Sequence, residues 1–272
     1  MGNRRLGRKR LMSALKKLNE HQPDGTGSRS GLKGLEIPAW ELQPVKYFGF
    51  WDDFMAVNAN EGVAASGDMA QATAVNQGVW NADIGGSSDT ITLDNTIAGG
   101  VVKLLSGTAD NDNCMLQAVN SCFTLDASSP REIWFECRIK ANDITGLGIY
   151  VGLQSKGGAL QDDAAGDDFT DSVGFYVNEG AASQDIQLLT AVGNTETSTS
   201  LATNLGNSFV ILSFHFDGTS VHAYVNGVKK ASTASNLPTD GTMIWPTISA
   251  STRDGGGGDT LFVDYIRVCQ QR

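Results

Sequence analysis

The chain has 272 residues, 40% of them hydrophobic, with 30 Asp and Glu against 20 Lys and Arg and a formal net charge of −10. That length suits one large domain, and short runs of Val, Ile, Phe and Tyr between Gly, Asn, Asp, Ser and Thr predict strands joined by turns rather than helices. No stretch reaches the ~18 consecutive apolar residues of a membrane span, and the basic start lacks the apolar core of a secretory signal, so a soluble protein made in the cytoplasm is expected.

The charge is unevenly spread. Residues 1–34 carry nine basic residues (Arg4, Arg5, Arg8, Lys9, Arg10, Lys16, Lys17, Arg29 and Lys33) against Glu20 and Asp24, a net +7. The remaining 11 basic and 28 acidic residues give residues 35–272 a net −17. Such a split predicts an arm that docks onto something the body does not. Nucleic acid is not the expected partner, because a body at −17 repels phosphate and no aromatic residues interleave the arm's cations. Nor is a membrane, since only small aliphatic residues line the arm's apolar stripe. An acidic protein surface fits better. Leu11, Leu15 and Leu18 recur at helical spacing, which predicts a short helix over 8–20 with one apolar stripe. At about 13 residues such a helix is marginal alone and is expected to order against a partner. Residues 21–34 (HQPDGTGSRSGLKG) form a linker whose flexible-coil reach is about 20 Å. The expected organisation is thus an arm over 1–34 and one domain over 35–272.

Strand-like runs then follow at 46–54, 79–84, 90–94, 100–105, 114–118, 131–140, 147–154, 172–178, 185–192, 208–216, 220–226, 243–249 and 260–269. With no helix between them to make parallel crossovers, they predict two facing antiparallel sheets. Within 131–140, Ile133, Phe135, Cys137 and Ile139 alternate toward a core. Glu132, Trp134, Glu136, Arg138 and Lys140 take the other face, where Glu132, Glu136, Arg131 and Arg138 are expected to pair in solvent. Within 208–216, Val210, Leu212, Phe214 and Phe216 form the apolar set. Asn226-Gly227 after VHAYV signals a two-residue type I′ hairpin.

Groups with chemical potential are sparse. Cys114, Cys122, Cys137 and Cys269 have no zinc spacing and read as half-buried thiols, although Cys114 and Cys122 are near enough in sequence to bridge a hairpin. Asp162, Asp163, Asp167, Asp168 and Asp171 crowd one loop as weak calcium ligands without the EF-hand spacing; a solvated acidic loop is the main expectation, and no cofactor is required. Asp254 to Asp259 reads as a flexible Gly-rich tip. It precedes a strand, which argues against a phosphate cradle. His21 lies in the linker, while His215 and His222 flank one hairpin, where paired or solvent-facing rings are expected rather than a nucleophilic triad. Trp40, Trp51 and Trp80 are sugar-stacking candidates for which packing at the core or sandwich edge is the expectation.

Three segments carry a resemblance. FVILSFHFDGTSVHAYVNGVKKA (209–231) resembles the hairpin segment of concanavalin-A-like and laminin-G-like jelly rolls. TLFVDYIRVCQQ (260–271) resembles the last strand of family-16 glycoside hydrolases, and WFECRIKA (134–141) the strand before their catalytic one. The resemblance implies an all-β, two-sheet antiparallel jelly-roll sandwich, a fold that hosts enzymes, lectins and structural modules. Family-16 catalysis needs a Glu-x-Asp-x-Glu strand bearing a retaining pair. Glu132-Ile-Trp-Phe-Glu136 places Trp134 at the middle carboxylate, so neither Glu is assigned a catalytic role and no enzyme is expected. The opening MGNRRLGRKRL resembles the N-termini of small virion structural proteins of tailed phages of marine bacteria, and the WDDF at 51–54 the start of jelly-roll modules in phage structural proteins. This resemblance implies a non-enzymatic capsid decoration or cement protein, homo-oligomeric and located in the virion, assembled in the host cytoplasm. Arg4, Arg5, Arg8, Lys9, Arg10, Leu11, Leu15, Lys16, Lys17 and Leu18 would hold the major capsid protein or another virion protein. The alternatives are a glycan-binding adhesin on head or tail and an inactive family-16 relative.

Overall fold

The computed structural model describes residues 46–54, 79–85, 89–94, 96–97, 100–109, 112–119, 122–125, 131–142, 146–155, 169–178, 185–252 and 259–272. The arm, its expected helix, its linker and Trp40 lie outside the described residues. Fifteen strands follow in order: β1 (Tyr47–Asp52), β2 (Trp80–Ile84), β3 (Thr90–Leu93), β4 (Val102–Leu105), β5 (Asp112–Ala118), β6 (Ile133–Ala141), β7 (Leu147–Gln154), β8 (Asp171–Val177), β9 (Asp185–Val192), β10 (Thr195–Asn204), β11 (Val210–Phe216), β12 (Val221–Val225), β13 (Val228–Thr233), β14 (Trp245–Thr252) and β15 (Thr260–Gln271). Among the described residues there is no helix.

The strands form two antiparallel sheets of a jelly-roll sandwich. The first has the order β13-β12-β11-β6-β15-β4-β3, with β1 also paired to β15, and the second the order β10-β9-β8-β7-β14-β5-β2. Consecutive strands β6 and β7 sit in different sheets, so the chain crosses the sandwich between them. Alternation does the rest. On β6, Ile133, Phe135, Cys137 and Ile139 are all buried in the core, as the pattern predicts. Phe135 stacks on Phe214 of β11 with ring centroids 4.8 Å apart, and both meet Phe175 of β8 from the facing sheet at 6.3 and 6.2 Å.

Strand β10 is absent from the sequence expectation, and β13 enters it only as the return of the Asn226-Gly227 hairpin, not as a strand-like run of its own. Both are edge strands, and their exposed, polar sequences TETSTSLATN and VKKAST bury few apolar residues. Turn chemistry places them instead. Asn226 and Gly227 both adopt positive φ (48° and 76°) between the paired Val225 and Val228, the expected type I′ geometry. Gly193 and Asn194 (φ 53° and 64°) do the same between Val192 and Thr195.

The outer face of the second sheet is also closed. Tyr150, Phe169, Tyr176, Leu189 and Ala191 form a separate buried cluster there. The Tyr150 hydroxyl donates to Leu153 O at 2.7 Å and lies 3.2 Å from Val173 O. Burial pushes this phenol well above its ordinary value. Tyr150→Phe should cost about 1–2 kcal/mol, because a buried carbonyl loses its donor. Chemical denaturation of the purified protein measures it, and an unchanged midpoint would show that Leu153 O has another donor.

Candidate functional site

Antiparallel register lines up outward side chains in rows across the first sheet. One row reads Gly49, Cys269, Trp134, His215, His222, Ser232. The Trp134 and His215 rings stack at 5.1 Å and 18°, Tyr47 meets Trp134 edge-on at 5.9 Å, and His222 follows His215 at 6.2 Å. Each histidine has a carboxylate partner. His215 Nε2 lies 3.2 Å from Glu132 Oε2, and His222 Nε2 lies 2.8 Å from Asp217 Oδ2. Burial pushes His215 below the ordinary imidazole value, against the opposing pull of Glu132. Burial alone would raise the Asp217 carboxyl, but bonds from His222, Ser220 and Thr219 hold it well below the usual range. His222 Nδ1 is 2.9 Å from Ser232 Oγ and 3.1 Å from Lys229 Nζ.

Ser232, His222 and Asp217 thus form a hydrogen-bonded relay that sequence spacing did not reveal. An ammonium only donates, so Lys229 claims the Nδ1 lone pair and leaves the His222 proton on Nε2, facing Asp217. The nitrogen beside Ser232 is therefore engaged, which argues against its serving as a general base.

The next row reads Trp51, Arg267, Glu136, Ser213, Tyr224, Lys229. It corrects the expectation of solvent pairing on β6. Trp134 is 6% exposed and Glu136 is fully buried. Glu136 receives Arg267 Nη2 at 3.2 Å, the Tyr265 hydroxyl at 3.0 Å and Ser213 Oγ at 3.3 Å. Burial and the Glu136 charge push the Tyr265 phenol well up. Arg138 pairs with Asp264, and Glu132 with His215. The interval between Glu132 and Glu136 is filled by Trp134 under His215. The two strands after β6 present Gly148, Tyr150, Gly152 and Gln154 (β7) and Ser172, Gly174 and Tyr176 (β8) on their outer face, with no carboxylate among them.

A third row, Thr92, Lys103, Phe262, Lys140, crosses β3, β4, β15 and β6. Phe209, just before β11, lies beneath Arg138 and Lys140.

The other sequence candidates scatter. Asp171 opens β8, while Asp162, Asp163, Asp167 and Asp168 lie outside the described residues, as do His21 and most of the Gly-rich tip. Asp259, at the end of that tip, is buried. Among the described residues no cluster of three His, Cys, Asp or Glu is placed to hold a metal. All four cysteines are free, and three are buried rather than half-buried; Cys122, half-buried, lies with its Sγ 3.7 Å from Met243 Sδ and makes no bridge to Cys114. Trp80 packs in the core at 3% exposure and donates its indole N–H to Asp52 at 2.6 Å, whereas Trp51 is 58% exposed.

No protein-family model matches the chain, and no curated protein matches it in sequence. Solved structures do. A Bacillus licheniformis β-glucanase aligns with TM-score 0.52 at 16% identity, covering 81% of this chain and 97% of its own. A family-16 endo-glucanase from Bacteroides ovatus aligns with TM-score 0.52 at 12% identity, covering 80% and 99%. The Emp47p carbohydrate recognition domain aligns with TM-score 0.50 at 9% identity, covering 70% and 88%. The described strands therefore define a concanavalin-A-like jelly roll, the fold of family-16 glucanases and lectin-type recognition domains. At these identities the likeness establishes the fold.

Proposed function

We propose that the chain is a non-enzymatic virion structural protein, a capsid decoration or cement protein whose basic arm is the anchor and whose jelly roll is the displayed module. The observation that carries this reading is the charge split, +7 in residues 1–34 against −17 in the rest. Arg4, Arg5, Arg8, Lys9, Arg10, Lys16 and Lys17 would pair with carboxylates of the major capsid protein, and Leu11, Leu15 and Leu18 would bury their stripe. Ordering an arm costs entropy, which charge-assisted contacts and many copies offset. The edge position of β1 suits this role. Arg272 N donates to Lys46 O at 2.8 Å, so the chain enters the sandwich at the rim of the first sheet beside its last strand. The absence of enzymatic function is part of the same proposal, supported by the partners of Glu132 and Glu136 and by Trp134 between them.

Deleting residues 1–34 should abolish co-sedimentation of the protein with purified particles of the phage that carries it, while leaving the melting temperature of the sandwich unchanged. Equal co-sedimentation of the truncated and full chains would refute the anchor.

A glycan-binding adhesin is the second reading. Trp51 favours it, standing exposed beside Arg267 and on the same strand face as Tyr47, as a ring offered to a sugar face would.

A further inference from the structure

The third row of the first sheet is a basic strip on an acidic body. Only 11 Lys and Arg accompany 28 Asp and Glu after residue 34, yet Lys103, Lys140 and Arg138 converge at one end of one face. We propose that these three cations, with Phe209 and Phe262, bind an acidic polysaccharide laid across the strands. This goes beyond the anchoring role of the arm and does not depend on it.

The cations are held ready. Lys140 Nζ lies 4.6 Å from the Phe262 centroid and 5.1 Å from that of Phe209, and the Arg138 guanidinium lies 4.2 Å over Phe209. Two rings thus restrain the ammonium, so less side-chain entropy is lost when an anion arrives. Among the described residues neither Lys103 nor Lys140 has a carboxylate at ion-pair distance. Asp94 is the nearby acid, held low chiefly by its Thr96 bonds with smaller help from both lysines. Arg138 is tied to Asp264 yet remains 38% exposed.

Spacing selects the ligand. Lys103 and Lys140 are two strands apart, which at ~4.8 Å per strand sets their backbones about 10 Å apart. A sugar chain bearing a carboxylate or sulfate every residue or two matches that interval. Duplex DNA, with about one charge per 1.7 Å of axis, would press many unmatched phosphates against the acidic body. Half-exposed Phe209 and Phe262 add apolar edges on which a sugar ring can rest.

The test uses the full chain with its arm neutralised (Arg4, Arg5, Arg8, Lys9, Arg10, Lys16 and Lys17→Gln), so that the arm itself does not capture the polyanion. Titration calorimetry against polygalacturonate and dextran sulfate separates uronate from sulfate, with dextran as the neutral control and a single-stranded oligonucleotide as the phosphate control. The arm-neutralised chain should bind at least one acidic polysaccharide, less tightly as salt rises, and ignore dextran. Adding Lys103→Gln and Lys140→Gln should weaken binding about tenfold, as loss of two half-exposed charge contacts predicts, without moving the melting temperature. Loss of all binding on neutralising the arm would overturn the proposal. So would equal binding by the Lys103→Gln/Lys140→Gln variant, or tighter binding of the oligonucleotide than of either polysaccharide.

Discussion

Arg267→Ala is expected to destabilise the protein by about 3–5 kcal/mol, because it removes a cation that faces a fully buried carboxylate. Glu136 sits in the middle of the first sheet, between β11 and β15, with no solvent access. Tyr265 and Ser213 still reach it but bring no positive charge. For a domain of this size the loss corresponds to a fall in melting temperature of roughly 10 °C. Removing both charges is a different experiment. Glu136→Leu with Arg267→Met should recover most of the stability, since an apolar pair of similar volume avoids both desolvation costs. Thermal unfolding of the parent and the two variants by circular dichroism reads the result. A single variant within 1 kcal/mol of the parent would show that Glu136 does not rely on Arg267.

That ion pair also marks where sequence reading stops. The alternation on β6 correctly assigns Glu136 to the outer face, and an outward glutamate is ordinarily a solvated one. Its burial depends on which residues β15 and β11 bring alongside, and that is a matter of register between strands more than 70 residues apart in sequence. The same limit hides the rows. Lys103, Phe262 and Lys140 come from three separate strands, and no local spacing brings them together. Apolar strands and the Asn226-Gly227 turn were legible because their signals are local. Strand β10 was missed although Gly193-Asn194 is a turn signal of the same kind, because its Thr and Ser give no burial pattern. The charge split is legible for the opposite reason, since charge composition needs no fold to be counted.

Gly152 and Gly174 set the second large effect. They face each other across β7 and β8, and a Cβ on Gly152 would stand 2.5 Å from both Gly174 Cα and Val173 O. A Cβ on Gly174 would stand 2.8 Å from Gly152 Cα and Val151 O. These are backbone atoms, so no side chain can swing aside, and the strands themselves must part. Tyr150 closes the remaining space, with its hydroxyl 2.8 Å from the Gly152 Cβ position. Gly152→Ala should therefore cost about 3 kcal/mol, at the upper end of ordinary overpacking. Gly174→Ala should cost somewhat less. The double variant should cost less than the sum, because strands already parted by one methyl admit the second more easily, and contacting sites couple in this way. A denaturation cycle over the two singles and the double measures that coupling, and simple additivity would mean that the two methyls do not share one gap. The damage should stay within its own sheet: below the melting transition, polysaccharide binding at Lys103 and Lys140 on the first sheet should be unchanged in Gly152→Ala. A parallel loss of binding would mean that the strip depends on the packing between sheets as well as on its own rows.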